Sequence, residues 1–430
     1  MWLGDPMTAL PAYRAVITGL GCTSPFGVGG YALIADVLQA NATAIRPITS
    51  FPTDGLSSCL GAEVPAACLP LTEEGRRWSR LSQMTVLACR QAIVEAGLYG
   101  SDTLSHAGLV VGSEFGDLRS TEAFSLGFLQ RGPLGLSPLL FPSTVMNAMA
   151  GTVSIALGIK GPMLTLNQAG VAGELAIVRA LALLRTGRAP AVIACGVDEL
   201  FPRLYETLIQ LQVPSPRGRG EEACRPFDRR HNGPVLGEGA TAVVVESPEH
   251  ARARGAPILA EVRGLCWGGI PTPGGRYPMV CHAQPLMLQQ AWREAGVRPA
   301  DIGLAYLSGS GDPQHDALEL ACITAAFGSS SPLLTSVTHL TGEYGGLGAF
   351  RAAAAVVTVG RGIAPILHYL CQPMRADVRF VVQPLPQPPA VVLVHGLARG
   401  GTHIAMLVGR PPDANDALES SFPSPSGRGF

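Results

Sequence analysis

Residues 173–186 read GELAIVRALALLRT, stop at Gly187, and are followed at 191–194 by AVIA. Leu175, Ile177, Val178, Leu181, Leu183 and Leu184 leave this stretch almost without a polar face. A helix that is apolar nearly all round belongs inside a large core. The short apolar run after it suits a strand buried on both faces. The same alternation extends outward. Residues 15–20 and 107–111 are apolar runs that end at glycines, and residues 82–96 place Met84, Leu87, Ala88, Ala92 and Ala96 three or four apart ahead of Gly97, a helix stop. Strands alternating with helices predict an α/β architecture with a mostly parallel sheet.

A second series of such signals begins at Ile258. It runs through 286–295, 304–307, 317–327 and 349–359, and closes with the apolar runs 390–394 and 402–408 around a glycine-rich turn. Two α/β halves, 1–256 and 257–410, are the economical division. Residues 411–430 lack a core-forming pattern and read as a disordered tail. Residues 213–224 and 383–389, rich in Pro, Gly or charge, read as surface loops.

Composition narrows the function classes. The chain has 430 residues, 47% of them apolar, enough for a large core or two fused ones. Charged residues make up 15% and the net charge is −1, so no overall field draws nucleic acid or an anionic membrane. The basic residues are almost all arginine, Lys160 being the only lysine. The ten cysteines are scattered without a CxxC pair or metal-ligand spacing and read as reduced thiols, most of them in apolar stretches. Residues 1–13 show no positive region followed by an apolar one, and arginines such as Arg179 and Arg185 break the apolar stretches well short of the length that spans a bilayer. The expectation is a cytoplasmic protein with no membrane span and no metal.

Four blocks carry a resemblance: VITGLGCTSPFG (16–27), FPSTVMNAMAG (141–151), GIKGP (158–162) and RPFDRRHNGPVLGEGA (225–240). In order and spacing they resemble the ketoacyl-ACP synthases of fatty acid and type II polyketide synthesis, over about residues 13–409. The resemblance implies a thiolase-like fold, five layers α-β-α-β-α from two duplicated halves, usually paired as a dimer. It implies no cofactor.

Such a synthase needs a nucleophilic cysteine at the tip of a buried helix, which favours the thiolate, and two histidines that polarise a thioester carbonyl and stabilise developing charge. Each setting is present here and each reactive group is changed. The T-A-C-x-x-G segment of the family falls on residues 168–173 (QAGVAG), with Gly170 at the nucleophile position and no cysteine nearer than Cys195. The first histidine motif falls on 307–313 (LSGSGDP), with Ser308 in place of the histidine and Asp316 and Glu319 behind it. The second falls on 336–343 (SVTHLTGE), where Thr338 replaces a lysine and Glu343 the histidine. The turn that gates the acyl pocket reads ARGGTH at 398–403, with Arg399 in place of the gating phenylalanine.

No catalytic residue is therefore expected. His339, His315 and His403 fall in the motif regions and could be recruited, although a lone loop histidine is more often a structural hydrogen-bonding residue. Two arrangements are open to Glu343 and Arg399: an ion pair that plugs the old pocket, or two exposed unpaired charges. A chain that keeps the scaffold but drops its reactive groups resembles the chain-length factor of type II polyketide or aryl polyene synthases. This implies a heterodimer with an active ketosynthase and contact with acyl carrier protein. Phe115, Leu118, Phe124, Phe128, Leu134 and Leu139 occupy the part of the chain that lines the tunnel near the dimer seam in relatives. An acyltransferase-type enzyme with changed chemistry, using Glu343 and His339, and an acyl-ACP-binding scaffold are the two other classes.

Overall fold

The computed structural model describes residues 14–69, 75–218, 220–273, 275–278 and 283–411. Most of the 411–430 tail lies outside the described residues, as do residues 1–13. The frame is built on ten strands. The first half supplies β1 (Ala15–Ser24), β2 (Gly108–Ser113), β3 (Met163–Asn167), β4 (Ala191–Asp198) and β5 (Gly239–Glu246). The second supplies β6 (Ala260–Gly269), β7 (Ile302–Tyr306), β8 (Leu333–Thr335), β9 (Val391–Leu397) and β10 (Thr402–Gly409). The principal helices are α1 (Arg80–Glu95), α2 (Leu118–Arg131), α3 (Ala172–Arg185), α4 (Gln284–Glu294), α5 (Pro313–Phe327) and α6 (Gly348–Arg361).

Hydrogen bonding runs through the strands in the order β8-β7-β9-β10-β6-β1-β5-β4-β2-β3. Outward from the centre, the two sides repeat one pattern. Pairs β1/β5 and β5/β4 are antiparallel, then β4/β2 and β2/β3 parallel. Pairs β6/β10 and β10/β9 are antiparallel, then β9/β7 and β7/β8 parallel. That repetition is the duplication, and the half-sheets join where residues 15–17 of β1 pair with 260–262 of β6. The expected mostly parallel sheet is thus a mixed one. Helices such as α5 give the outer parallel pairs, but β9 and β10 are linked by a tight turn at 398–401, which can join only antiparallel neighbours.

The layers follow from the contacts. Helix α1 covers the outer face of the first half-sheet, α4 covers that of the second with α5 packed beside it, and α3 and α6 pack on each other between the sheets. The close approach of α3 depends on Gly173, where a Cβ would stand 2.4 Å from the backbone of Gly346 and Ala349. The middle of α6 is buried without interruption from Gly348 to Val359, within a core shared by Ile17, Leu20, Val243, Phe350 and Val394. Helix α1 begins two residues earlier than the periodicity predicts, because Ser79 caps it by accepting the N–H of Ser82. Gly97 follows the helix with φ of +66°, as a helix stop does. The 213–224 loop is less superficial than expected: Ser215 is buried and its N–H donates to Pro234 O. No helix among the described residues is long and apolar enough to cross a membrane.

Candidate functional site

The turn from β3 into α3 carries Gly170 with φ of +65°, a left-handed conformation that favours glycine. Space does not forbid a side chain there, since a Cβ would meet only Ala398 at 3.8 Å and Leu397 O at 4.0 Å. The backbone N–H of Gly170 donates to Oε2 of Glu114 at 2.9 Å. Oε1 of Glu114 accepts from Nη2 of Arg399 at 2.9 Å, so a guanidinium and a carboxylate close over the tip of α3.

Glu114 directly follows β2, and Asp198 at the end of β4 sets its direction. The Asp198 carboxylate accepts from Ser113 Oγ (2.7 Å), Glu114 N (3.0 Å) and Phe115 N (3.0 Å). Burial pushes Asp198 up to about 7 against the pull of these hydrogen bonds.

Neither arrangement open to Glu343 and Arg399 in the sequence is the one found. Arg399 pairs with Glu114, while Glu343 is half-buried, with its Oε2 closed off from solvent and without a hydrogen-bond partner. Its backbone is pinned on both sides: Glu343 N donates to Val235 O and Gly237 N to Glu343 O. Burial pushes the Glu343 carboxyl up to about 8, with Arg351 and Arg399 pulling down and Glu114 and Glu174 pushing up. Burial thus biases the Glu343 carboxyl toward its neutral form, while Arg399 and Glu114 stay paired over the tip of α3.

Ser308 is buried and saturated. Its N–H and Oγ both donate to Glu319 Oε1 at 2.8 Å, its Oγ lies 3.2 Å from His315 Nε2, and it accepts the N–H of Leu397 at 3.1 Å. Thr338 Oγ1 donates to Gly309 O at 2.9 Å and is part of the scaffold. The three histidines are not loop residues. His315 lies in α5, stacked on Tyr277 at 4.8 Å. His403 lies in β10, and its Nε2 meets Nε2 of His395, whose Nδ1 reaches Glu319 at 2.5 Å. Burial and the neighbouring His395 hold the His403 ring well below its usual range. His339 is in the one-turn helix Thr338–Thr341, tilted against Tyr369 at 5.2 Å. Burial and the charge of His368 lower it to about 3, and neither ring nitrogen has a hydrogen-bond partner. No hydrogen bond joins His339 to Glu343.

Beneath Gly170 lies a pair that sequence reasoning missed. Arg351 of α6 and Glu174 of α3 are fully buried, with Nε of Arg351 donating to Glu174 Oε1 at 3.1 Å. The signal was available as the single carboxylate of the apolar α3 run and an arginine set directly before four alanines in α6, since fully buried charges occur almost only in pairs. For Glu114 and Asp198 no such signal exists, because both sit at strand ends where polar residues are ordinary.

The six tunnel candidates separate into two groups. Phe115 and Leu118 pack against the cluster containing Phe51, Leu200 and Phe201. Helix α2 buries none of its residues: Phe128 is 47% exposed, Leu134 and Leu139 beyond it are 95% and 89% exposed, and Phe124 leans on Phe141 at 5.9 Å. Ile155, Met163 and Leu164, on and near β3, the outermost strand of the first half, expose further apolar side chains.

The family model described as "Beta-ketoacyl synthase, N-terminal domain" matches residues 13–251, and "Beta-ketoacyl synthase, C-terminal domain" matches 270–369. A 3-oxoacyl-[acyl-carrier-protein] synthase 2 from Coxiella burnetii is 30% identical over 409 residues, covering 92% of this chain and 98% of that one. A beta-ketoacyl synthase from Burkholderia phymatum superposes with a TM-score of 0.82 at 24% identity, covering 93% of this chain and 100% of that one. The ishigamide ketosynthase/chain length factor gives a TM-score of 0.81 at 24% identity with the same coverage.

Proposed function

The chain belongs to the beta-ketoacyl synthase family, and within it we propose a non-catalytic subunit of the chain-length-factor kind. It pairs with an active ketosynthase and shapes the acyl tunnel while a polyketide, polyene or fatty-acid-like chain grows on acyl carrier protein.

One observation carries this reading. The N–H of residue 170, at the tip of the buried helix, is taken by the Glu114 carboxylate, which Arg399 holds in place. A condensing site needs a nucleophile at that residue and donors aimed at the developing oxyanion. Here the residue has no side chain, its donor faces an anion, and Ser308 and Glu343 supply no imidazole. Further support comes from the exposed apolar side chains on and near β3, since exposed apolar surface at an open strand edge marks an interaction surface. A chain length factor is also named in one of the structures that share this fold.

The test has two arms. Intact-mass measurement of the isolated protein with acyl-ACP should show no stoichiometric thioester adduct, and malonyl-ACP should release no carbon dioxide above a no-protein control. Co-purification with candidate ketosynthases should yield a complex. In that complex, alanine at the correct member of Phe115, Leu118, Phe124, Phe128, Leu134 or Leu139 should lengthen the product, because a filled pocket end resists each added methylene by about 1–3 kcal/mol. An adduct on the isolated protein, or failure to pair with any ketosynthase, overturns the reading.

A further inference from the structure

We infer that the face beside β3 carries a charge code that repels a second copy of this chain and selects a partner whose facing surface is acidic. The inference rests on the proposed pairing with a ketosynthase and names the chemistry of the partner's surface.

Residues 123–197 contain Arg131, Lys160, Arg179, Arg185 and Arg188, and one acid, Glu174. Glu174 is buried and committed to Arg351. The exposed part of this segment is therefore purely cationic, in a chain whose net charge is −1. None of the five cations joins an ion pair among the described residues. By contrast, the flanking Arg119 and Arg203 are paired with Glu199 and Glu122.

The placement of these charges matters more than their number. A groove of about 410 Å³ runs between β3 and α3, floored by Pro162, Leu164, Ala182 and Leu183 and flanked by Arg179 and Arg188. Arg179 is held over the Trp267 ring at 4.5 Å, which fixes its guanidinium at the groove wall. Leu164 belongs both to the groove and to the exposed apolar face, so the cations border the surface that pairing would cover.

A closed pair of identical chains sets one patch against itself about a two-fold axis. Cations on this patch would then face cations, and like charges brought together at an interface suppress that partner. An acidic facing surface removes the repulsion and neutralises guanidiniums that have no acidic partner among the described residues of this chain. The apolar face supplies attraction and the charges supply selection.

The experiment uses the full chain and two double variants at the groove-flanking cations, Arg179→Glu/Arg188→Glu and Arg179→Gln/Arg188→Gln, with melting curves to confirm folding. Sedimentation is measured in 0.05 M and 1 M sodium chloride. Screening shortens from about 14 Å to about 3 Å over that range, so the unaltered chain should self-associate at least about tenfold more tightly at high salt. The glutamine variant should lose most of that dependence. At low salt, the unaltered chain mixed with a labelled glutamate variant should form mixed pairs in preference to like pairs. A self-association independent of salt, or no preference for mixed pairs, overturns the charge code. If the unaltered chain stays monomeric at both salts, the mixing result decides alone, and the absence of mixed pairs overturns it. Failure to bind any ketosynthase would instead remove the proposed function, a separate outcome.

Discussion

Replacing Glu343 by glutamine should make the protein more stable at alkaline pH and change little at pH 4 to 5. The carboxyl is pushed up from its ordinary 4.5 to about 8 in the folded chain. Between these values the unfolded chain has released a proton that the folded chain keeps, so the group's contribution falls as pH rises. The slope is about 1.4 kcal/mol per pH unit, flattening above pH 8. Over the full interval the loss approaches about 5 kcal/mol as an upper bound, and the half-buried setting of Glu343 reduces it. Glutamine keeps the shape and removes the titration. Its own unpartnered amide adds a constant that cancels when the variant effect at pH 9 is compared with that at pH 5. Urea unfolding of both proteins at pH 5, 7 and 9 measures the difference directly. Asp198, also raised by burial, imposes the same falling trend on both proteins and drops out. Stability curves that stay parallel from pH 5 to 9 would refute a proton-holding Glu343.

Three further outcomes are expected. Gly170→Cys should cost about 1–2 kcal/mol in urea unfolding, because φ of +65° is unfavourable for any residue with a Cβ, and it should not restore condensation while Ser308 and Glu343 remain. Arg351→Met should destabilise by about 3–5 kcal/mol by stranding a buried Glu174 carboxylate, and adding Glu174→Gln should recover most of that loss; equal losses in the single and double variants would contradict the pairing. Glu114→Gln should free Arg399 from its ion pair and weaken the hydrogen bond on the Gly170 amide, which faster amide hydrogen exchange at residue 170 would report.

Much of this protein is legible along the chain. Buried strands and helices follow from local periodicity, so the runs at 15–20, 107–111 and 191–194 and the helices around Met84 and Leu181 stand where their patterns put them. The expectation that the nucleophile and imidazoles are missing at Gly170, Ser308 and Glu343 is likewise a local reading, because each sits inside a motif whose frame is otherwise kept. What escaped depends on which distant segments meet. The strand directions hinge on connections returning to the centre, and the uncovered face of α2 cannot be told from a buried one by composition alone. Arg399 finds Glu114 across 285 positions of sequence, leaving Glu343, its nearer candidate in the chain, with a buried Oε2 that has no hydrogen-bond partner. Arg351 finds Glu174 across 177 positions. Periodicity is set by neighbours in the chain and is written in the sequence. The partner of a charge is set by distance in space and by the cost of leaving it unpaired in a low-dielectric interior, which only the tertiary structure decides.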